Sequence, residues 1–224
     1  MAVAVLFDLE ETLVQTPWAH HKHVTEFRWK TKERLTKLGI PPSVLEGIER
    51  ATIMRNRASE YVEKNLTRAS SDRIQREMER FLSRYELDSA RRSKLFPETI
   101  TTLQYLKKRG VKMGLVTNTS MRAVDTVFRL HGLNSYFDVV MTREKVKKLK
   151  PDPEGIVLAA ERLGAKNLFM VGDLVHDALA AERAKVTSII VKRNPEEKLD
   201  FRADYVVHSL TQVPVIVEAE TERT

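Results

Sequence analysis

The feature that most constrains the fold is a set of five short segments in which nearly every residue is apolar. They cover residues 3–7, 111–116, 139–141, 168–171 and 188–191. Strands that are buried on both faces have this composition, which is typical of parallel sheets. The pattern therefore predicts a parallel sheet whose two faces are covered by other elements.

Helix-length segments lie between the later apolar runs. Residues 99–108, 121–130 and 153–163 place apolar side chains at helical spacing, and the last two segments end near Gly132 and Gly164. Strands that alternate with helices imply right-handed crossover connections. The predicted fold class is α/β, with a doubly wound, Rossmann-like parallel sheet as its core.

A helical segment interrupts this alternation at residues 16–95, which show no convincing strand pattern. Apolar spacing predicts three amphipathic helices there. The first runs into Gly39, the second opens at Pro41, and the third has Ser70 or Ser71 as its N-cap. We therefore predict two core segments, residues 1–15 and 96–224, with a small all-helical cap formed by residues 16–95 between them.

The net charge of +7 is confined to one part of the chain. Residues 15–95 contain 18 Lys or Arg and 11 Asp or Glu, whereas the rest of the chain is balanced. This excess predicts either a solvated helical surface or a basic lid that attracts an anionic substrate. The segment has no recognised nucleic-acid-binding motif, so no nucleic acid partner is expected.

Aromatic and histidine side chains in the helical segment have simpler interpretations than ligand binding. Trp18 and Trp29, with Phe27, are predicted to pack within the cap. The histidine cluster is more typical of a polar helix face than of a transition-metal site; it consists of His20, His21 and His23.

The chain contains no cysteine, which excludes disulfides and cysteine-ligated zinc and favours a cytoplasmic location. No apolar run approaches the roughly 18 residues that span a bilayer, so no membrane association is expected.

Polar side chains follow the predicted buried strands. In open α/β sheets, ligands bind beyond the carboxyl ends of the strands, so these side chains are candidates for one site. Carboxylates, a hydroxyl, an amide and an amine together suggest that the site holds a metal and an anion. Asp8, Thr117, Asn118 and Asp173 follow such strands, Asp177 lies one helical turn after Asp173, and Lys150 stands before the helix that leads to the fourth strand.

Four segments carry a resemblance to a known family. They are FDLEETLV at residues 7–14, LVTNTS at 115–120, LKPDPEG at 149–155 and VGDLVHD at 171–177. In this order they resemble the motifs of the haloacid dehalogenase superfamily, in particular its phosphatase branch and the phosphoglycolate phosphatase-like members. A helical insertion after the first motif also matches the commonest cap position of that family.

The resemblance implies a role for each candidate. Asp8 would be the nucleophile in Mg²⁺-dependent hydrolysis of a small phosphorylated metabolite, through an aspartyl-phosphate. Thr117, Asn118 and Lys150 would bind the phosphate. The metal ligands would be Asp8, Glu10 through its backbone carbonyl, Asp173 and Asp177.

Glu10 departs from the pattern, because the family's phosphatases have aspartate two residues after the nucleophile. That residue protonates the leaving group and then activates water, chemistry that glutamate shares. Its extra methylene could misplace the carboxyl, and about 1 Å of misplacement can cost ~10²-fold in rate. Two alternatives therefore stay open: a catalytically attenuated phosphate- or metal-binding protein, and a haloacid dehalogenase that needs no metal.

Overall fold

The structure is a computed structural model that describes residues 2–17 and 21–223, with the backbone alone for residues 21–24. The predictions for Trp18, His20, His21 and His23 therefore lie outside the described side chains.

The described residues form eight strands and eight α-helices. In chain order they are β1 (Val3–Phe7), β2 (Val14–Gln15), α1 (His21–Lys37), α2 (Ala51–Asn65), α3 (Arg68–Arg91), β3 (Lys94–Leu95), α4 (Thr99–Lys108), β4 (Lys112–Val116), α5 (Met121–His131), β5 (Val139–Met141), α6 (Glu154–Leu163), β6 (Asn167–Gly172), α7 (Val175–Ala184), β7 (Thr187–Val191), β8 (Tyr205–Val207) and α8 (Val213–Glu222).

A six-stranded sheet forms the core, in the order β5-β4-β1-β6-β7-β8. Every pairing in it is parallel, which confirms the predicted α/β fold class. β1 lies between β4 and β6, and its last residue, Phe7, pairs with Leu115 and Val171. The carboxyl ends of these three strands therefore lie side by side at one edge of the sheet.

Apolar clusters cover both faces of the sheet, as the continuous apolar runs predict. The packing is close at Gly114 in β4. A Cβ atom there would lie 2.6 Å from Leu6 Cδ2 and 2.8 Å from Val139 Cγ1, so only glycine fits between the neighbouring strands.

The three helices α1, α2 and α3, which we call the helical region, pack around a third apolar cluster. Its buried members include Leu35, Met54, Ile74 and Met78. β2 and β3 pair antiparallel at the two ends of the helical region. The prediction that residues 16–95 contain no strand is therefore wrong for β3, whose two residues are too few to show an alternating pattern.

Two predicted helix starts are also wrong. The prolines at the second start open only a single 3-10 turn, Pro42–Leu45, and α2 begins at Ala51. Gly47 lies between them with φ 68°, a left-handed conformation that ends the turn. The N-cap of α3 is Thr67, whose hydroxyl accepts from the Ser70 backbone N–H at 3.4 Å, so Ser70 and Ser71 lie in the first turn.

The aromatic side chains of the helical region divide into packed and exposed ones. Phe27 stacks on Phe81 with a centroid separation of 6.2 Å and lies 5.3 Å from the ring of Tyr85. Trp29 is 61% exposed, so the prediction that it packs in the cap is wrong. None of the described helices has the length and apolar character needed to span a bilayer.

Candidate active site

Backbone hydrogen bonds extend the parallel sheet past the last residues of its strands and fix two of the predicted site residues. The Asp8 N–H donates to Val171 O at 2.8 Å, and the Thr117 N–H donates to Met141 O at 2.9 Å. Asp8 after β1 and Thr117 after β4 therefore stand at the same edge, where the parallel strands predict a ligand site.

Three carboxylates meet at this edge. One oxygen each of Asp8, Asp173 and Asp177 lies within 4.8 Å of the others. Gly172, the last residue of β6, permits this approach, because a Cβ atom there would lie 2.2 Å from Asp177 Cγ. Asp177 is fixed further by the Leu174 N–H, which donates to its Oδ2 at 3.1 Å.

Lys150 reaches into the carboxylate cluster from the loop before α6. Its Nζ lies 2.8 Å from Asp8 Oδ1 and 2.6 Å from Asp177 Oδ1, and its side chain is only 5% exposed. One buried ammonium thus faces three carboxylates, which leaves an excess of negative charge away from water.

The pKa values reflect this excess. Burial raises the pKa of Asp8, and the charge of Asp177 adds to the effect although Lys150 opposes it. Burial, followed by the charges of Asp177 and Asp8, raises the pKa of Asp173 well above its usual value. Burial also disfavours the Lys150 ammonium, but the charges of Asp177 and Asp8 outweigh it and raise the pKa of Lys150.

The donor set of this cluster fits a divalent cation. Its three carboxylates offer only oxygen ligands, which Mg²⁺ prefers as a hard cation. A divalent charge would also offset the repulsion that raises the pKa values of Asp8 and Asp173.

Glu10 lies at the rim of the carboxylate cluster, in a tight turn after β1. Its Oε2 accepts from the Thr119 hydroxyl at 3.3 Å. Burial, the charge of Glu86 and the charge of Asp8 raise the pKa of Glu10 to about 8. In the ligand-free protein this carboxyl is therefore mostly protonated at neutral pH, the form that a general acid requires.

Glu11 shapes the turn that presents Glu10. Its φ of 56° is left-handed, a conformation that most residues avoid. Its Oε1 accepts from both the N–H and the hydroxyl of Thr16, at 2.7 and 2.8 Å. These two bonds hold the turn closed despite the unfavourable backbone conformation.

The structure brings all of the predicted site residues to one cavity of about 560 Å³. Asp8, Glu10, Thr117, Asn118, Lys150, Asp173 and Asp177 line it. A larger cavity of about 980 Å³ lies on the helical region between α1 and residues 47–49, away from the strand-end carboxylates.

The opposite wall of the smaller cavity comes from the helical region, and the sequence did not identify it. It includes Arg28, Arg50 and Thr52, the last of which lies in the first turn of α2. For Arg50 and Thr52 the available signal was the start of α2 at Ala51, whereas no local pattern marks Arg28 on α1. His176, which lies between Asp173 and Asp177 in the chain, also lines the cavity.

Comparisons with known proteins found relatives that are named as phosphatases or as a pyrophosphatase. A "Phosphoglycolate phosphatase" of Nitrosococcus oceani is 26% identical over 223 residues, which cover 93% of each chain. A "Pyrophosphatase PpaX" of Oceanobacillus iheyensis is 29% identical over 127 residues, 54% of this chain and 59% of that relative. The crystal structure of a HAD phosphatase from Thermococcus onnurineus covers 96% of this chain and 97% of its own, with 27% identity and a TM-score of 0.59.

The sequence profile of the haloacid dehalogenase-like hydrolases matches residues 5–191, which include all four motifs and the helical region between the first two. The chain is therefore a hydrolase of the haloacid dehalogenase-like family, as its motifs predict.

Proposed function

We propose that the protein is a Mg²⁺-dependent phosphatase that hydrolyses a small phosphate monoester through an aspartyl-phosphate on Asp8. One observation carries the proposal: Asp8, Asp173 and Asp177 converge with Lys150 in a buried cluster beside a cavity. That set can hold both a cation and an anion. The relatives named for phosphoglycolate and pyrophosphate hydrolysis support a phosphate substrate.

The first half of the reaction forms the covalent intermediate. A carboxylate oxygen of Asp8 attacks phosphorus, and the bond between phosphorus and the ester oxygen breaks. The leaving oxygen takes its proton from Glu10, whose raised pKa of about 8 keeps that proton in place at neutral pH.

The second half releases the product. Glu10, now ionised, accepts a proton from a water molecule, and the water oxygen attacks phosphorus. The bond between phosphorus and Asp8 breaks, so inorganic phosphate leaves and both carboxyl groups return to their starting states. Water is the only reactant consumed besides the ester.

Thr117, Asn118 and Lys150 would hold the phosphoryl oxygens during both halves, through a hydroxyl, a backbone N–H and an ammonium. The carboxylates of Asp8, Asp173 and Asp177, with the Glu10 carbonyl, would hold the cation. When bound, Mg²⁺ offsets the repulsion between carboxylate and phosphate and orients the phosphoryl group.

The division of the chain is part of the proposal. Residues 1–15 and 96–224 would form the catalytic core, and residues 16–95 a cap that excludes water from the cavity and selects the leaving group. The cap residues that line the cavity support this assignment. A cytoplasmic location stays a prediction from the cysteine-free composition.

The proposal is tested by phosphate release from small monoesters, phosphoglycolate and pyrophosphate, each with Mg²⁺ and with a chelator. Release should require Mg²⁺ and disappear in Asp8→Asn, which removes the nucleophile. Halide release from a 2-haloacid without metal would instead favour the dehalogenase alternative. Folded protein that binds phosphate and releases none from any ester would favour the attenuated binding protein.

A further inference from the structure

Two side-chain amides hold the loop that carries Lys150, and they come from different parts of the molecule. Asn118, which follows β4, donates to Lys150 O at 3.0 Å and accepts from the Lys150 N–H at 2.9 Å. Asn56, on α2, donates to Leu149 O at 3.0 Å and accepts from the Leu149 N–H at 3.1 Å. The core thus fixes Lys150, and the helical region fixes the residue before it.

The Leu149 N–H depends on Asn56, whereas the Leu149 carbonyl also accepts from the Asp152 N–H at 2.9 Å. Leu149 is 2% exposed, so loss of the Asn56 amide would leave this buried N–H unsatisfied. Within the loop, the Asp152 N–H donates to Leu149 O, and the Glu154 carboxylate accepts from the N–H groups of Lys147 and Lys148. These bonds leave the Leu149 N–H to Asn56.

The same helix forms part of the cavity wall. Ala51 and Thr52 line the cavity from the first turn of α2, and Asn56 follows Thr52 by four residues, on the same face of the helix. A movement that lifts this face from the cavity would also withdraw the Asn56 amide from Leu149.

We propose that Asn56 is a positioning residue that couples the seating of α2 over the cavity to the placement of the Lys150 ammonium. The inference rests on the proposed function, in which Lys150 holds the phosphoryl group. Lys150 Nζ lies between Asp8 and Asp177, at 2.8 and 2.6 Å. A loop shift of about 1 Å would lengthen both contacts and misplace the charge that stabilises the transferred group.

The test is a double-mutant cycle on the binding of inorganic phosphate, measured by titration calorimetry with Mg²⁺ present. Lys150→Ala should weaken binding strongly, and Asn56→Ala by about tenfold. In the Lys150→Ala background the second substitution should have no further effect, because Asn56 acts through Lys150. In kinetics with the best ester, Asn56→Ala should lower kcat more than it raises KM.

A matched control exists on the same helix. The Asn65 side chain donates within α2, to Tyr61 O at 2.9 Å, and does not reach the Lys150 loop. Asn65→Ala should therefore leave phosphate affinity and kcat unchanged. Thermal unfolding checks that each variant is folded, and Asn56→Asp, which keeps the acceptor and loses the donor, should fall between the wild type and Asn56→Ala.

Three outcomes would overturn the proposal. Asn56→Ala could bind phosphate like the wild type while Lys150→Ala does not, or the two losses could simply add; either result would show that Asn56 does not act through Lys150. If the wild type itself binds no phosphate and releases none, the proposed function fails first and the inference fails with it.

Discussion

The helical region meets the core at two places that differ in chemistry. At the α3 contact, Arg143 of the core lies between Glu79 and Glu86 and is 1% exposed. At the α2 contact, the neutral Asn56 amide pairs with the Leu149 backbone at a half-buried position. The first attachment is ionic and buried, whereas the second combines the neutral Asn56 bonds with exposed charged contacts, namely the bond from Arg55 to Lys147 O and the Lys148–Glu60 pair.

At the α3 contact, all three nitrogen atoms of the Arg143 guanidinium donate hydrogen bonds. The Arg143 guanidinium binds the Glu79 carboxylate through two atoms, at 2.8 and 2.7 Å, and also binds both oxygens of Glu86. It donates a further bond to Asn118 O at 3.2 Å. Bidentate pairs of this kind add geometric specificity to charge.

The difference indicates which contact can open. Separating the α3 contact would part the buried Arg143 guanidinium from its two carboxylates, and breaking a buried ion pair costs several kcal/mol. Water can replace the two neutral bonds of Asn56 at much lower cost, since a typical hydrogen bond contributes about 1 kcal/mol net. We therefore expect the α3 contact to act as the fixed support and the α2 contact to be the one that lifts.

The largest effect is expected when the charge of Arg143 at the α3 contact is removed. Arg143→Met should lower the free energy of unfolding by about 3 kcal/mol, because it leaves Glu79 and Glu86 without their buried partner. Urea denaturation measures the change, and Arg57→Met, at an exposed position on α2, is the matched control. A loss no larger than the control's would mean that α3 is not anchored by charge.

Shortening Glu10 tests the side of the site that adjoins the α3 contact. The hydroxyl of Thr119 donates to Glu10, and Thr119 O accepts from the Arg143 N–H at 3.2 Å. Glu10→Asp should lower kcat about tenfold, because the shorter side chain loses its bond to Thr119. Steady-state kinetics beside Glu46→Asp, an exposed control, would show this, and a gain in kcat would mean that the natural glutamate attenuates the enzyme.

The ionic contact also predicts a pH dependence of stability. Burial opposes ionisation of Glu79, but its bonds to Arg143 outweigh burial and lower the pKa of Glu79 below 4.5. Its contribution to stability is therefore complete above about pH 4.5 and is lost as the pH falls through the lowered pKa. As the pH falls below about 4.5, the free energy of unfolding should therefore decrease less for Glu79→Gln than for the wild type.

Thermal unfolding between about pH 3 and pH 7 measures that difference. Glu161→Gln, at an exposed position on α6, serves as the control. Parallel curves for the wild type and Glu79→Gln would show that the ionic contact does not contribute to stability.

The smallest effect is expected from the salt bridge that the described residues form at the α2 contact. Lys148 Nζ lies 3.4 Å from Glu60 Oε1, and both side chains are substantially exposed. Lys148→Ala should change the free energy of unfolding by less than about 0.5 kcal/mol. A loss above about 1 kcal/mol in denaturation would mean that charge also holds α2 and that the two contacts are alike.

The strand-end half of the site was predictable because it follows from local patterns. An apolar run fixes a strand, a parallel sheet brings the strand ends together, and the polar residue after each run then lies at one edge. Asp8, Thr117 and Asp173 were found in this way, and the cavity contains all three. The run at 139–141, which forms β5, is followed by Thr142 and then Arg143, so the same pattern also marks the position of Arg143.

The contacts of the helical region were not predictable in this way. Asn56 is a polar residue on an amphipathic helix, and its spacing marks it only as lying outside the apolar stripe. Whether such a residue faces water or the Leu149 backbone depends on how α2 docks against the core. Local sequence patterns do not encode that docking.

The most direct test of the central claim is to look for the covalent intermediate. The protein would be mixed with Mg²⁺ and its best phosphate ester, quenched in acid within milliseconds and digested for mass spectrometry. The account predicts one phosphoryl group on the peptide that contains Asp8, and none in Asp8→Asn. Rapid phosphate release with a phosphoryl group on another residue, or undiminished release by Asp8→Asn, would contradict it.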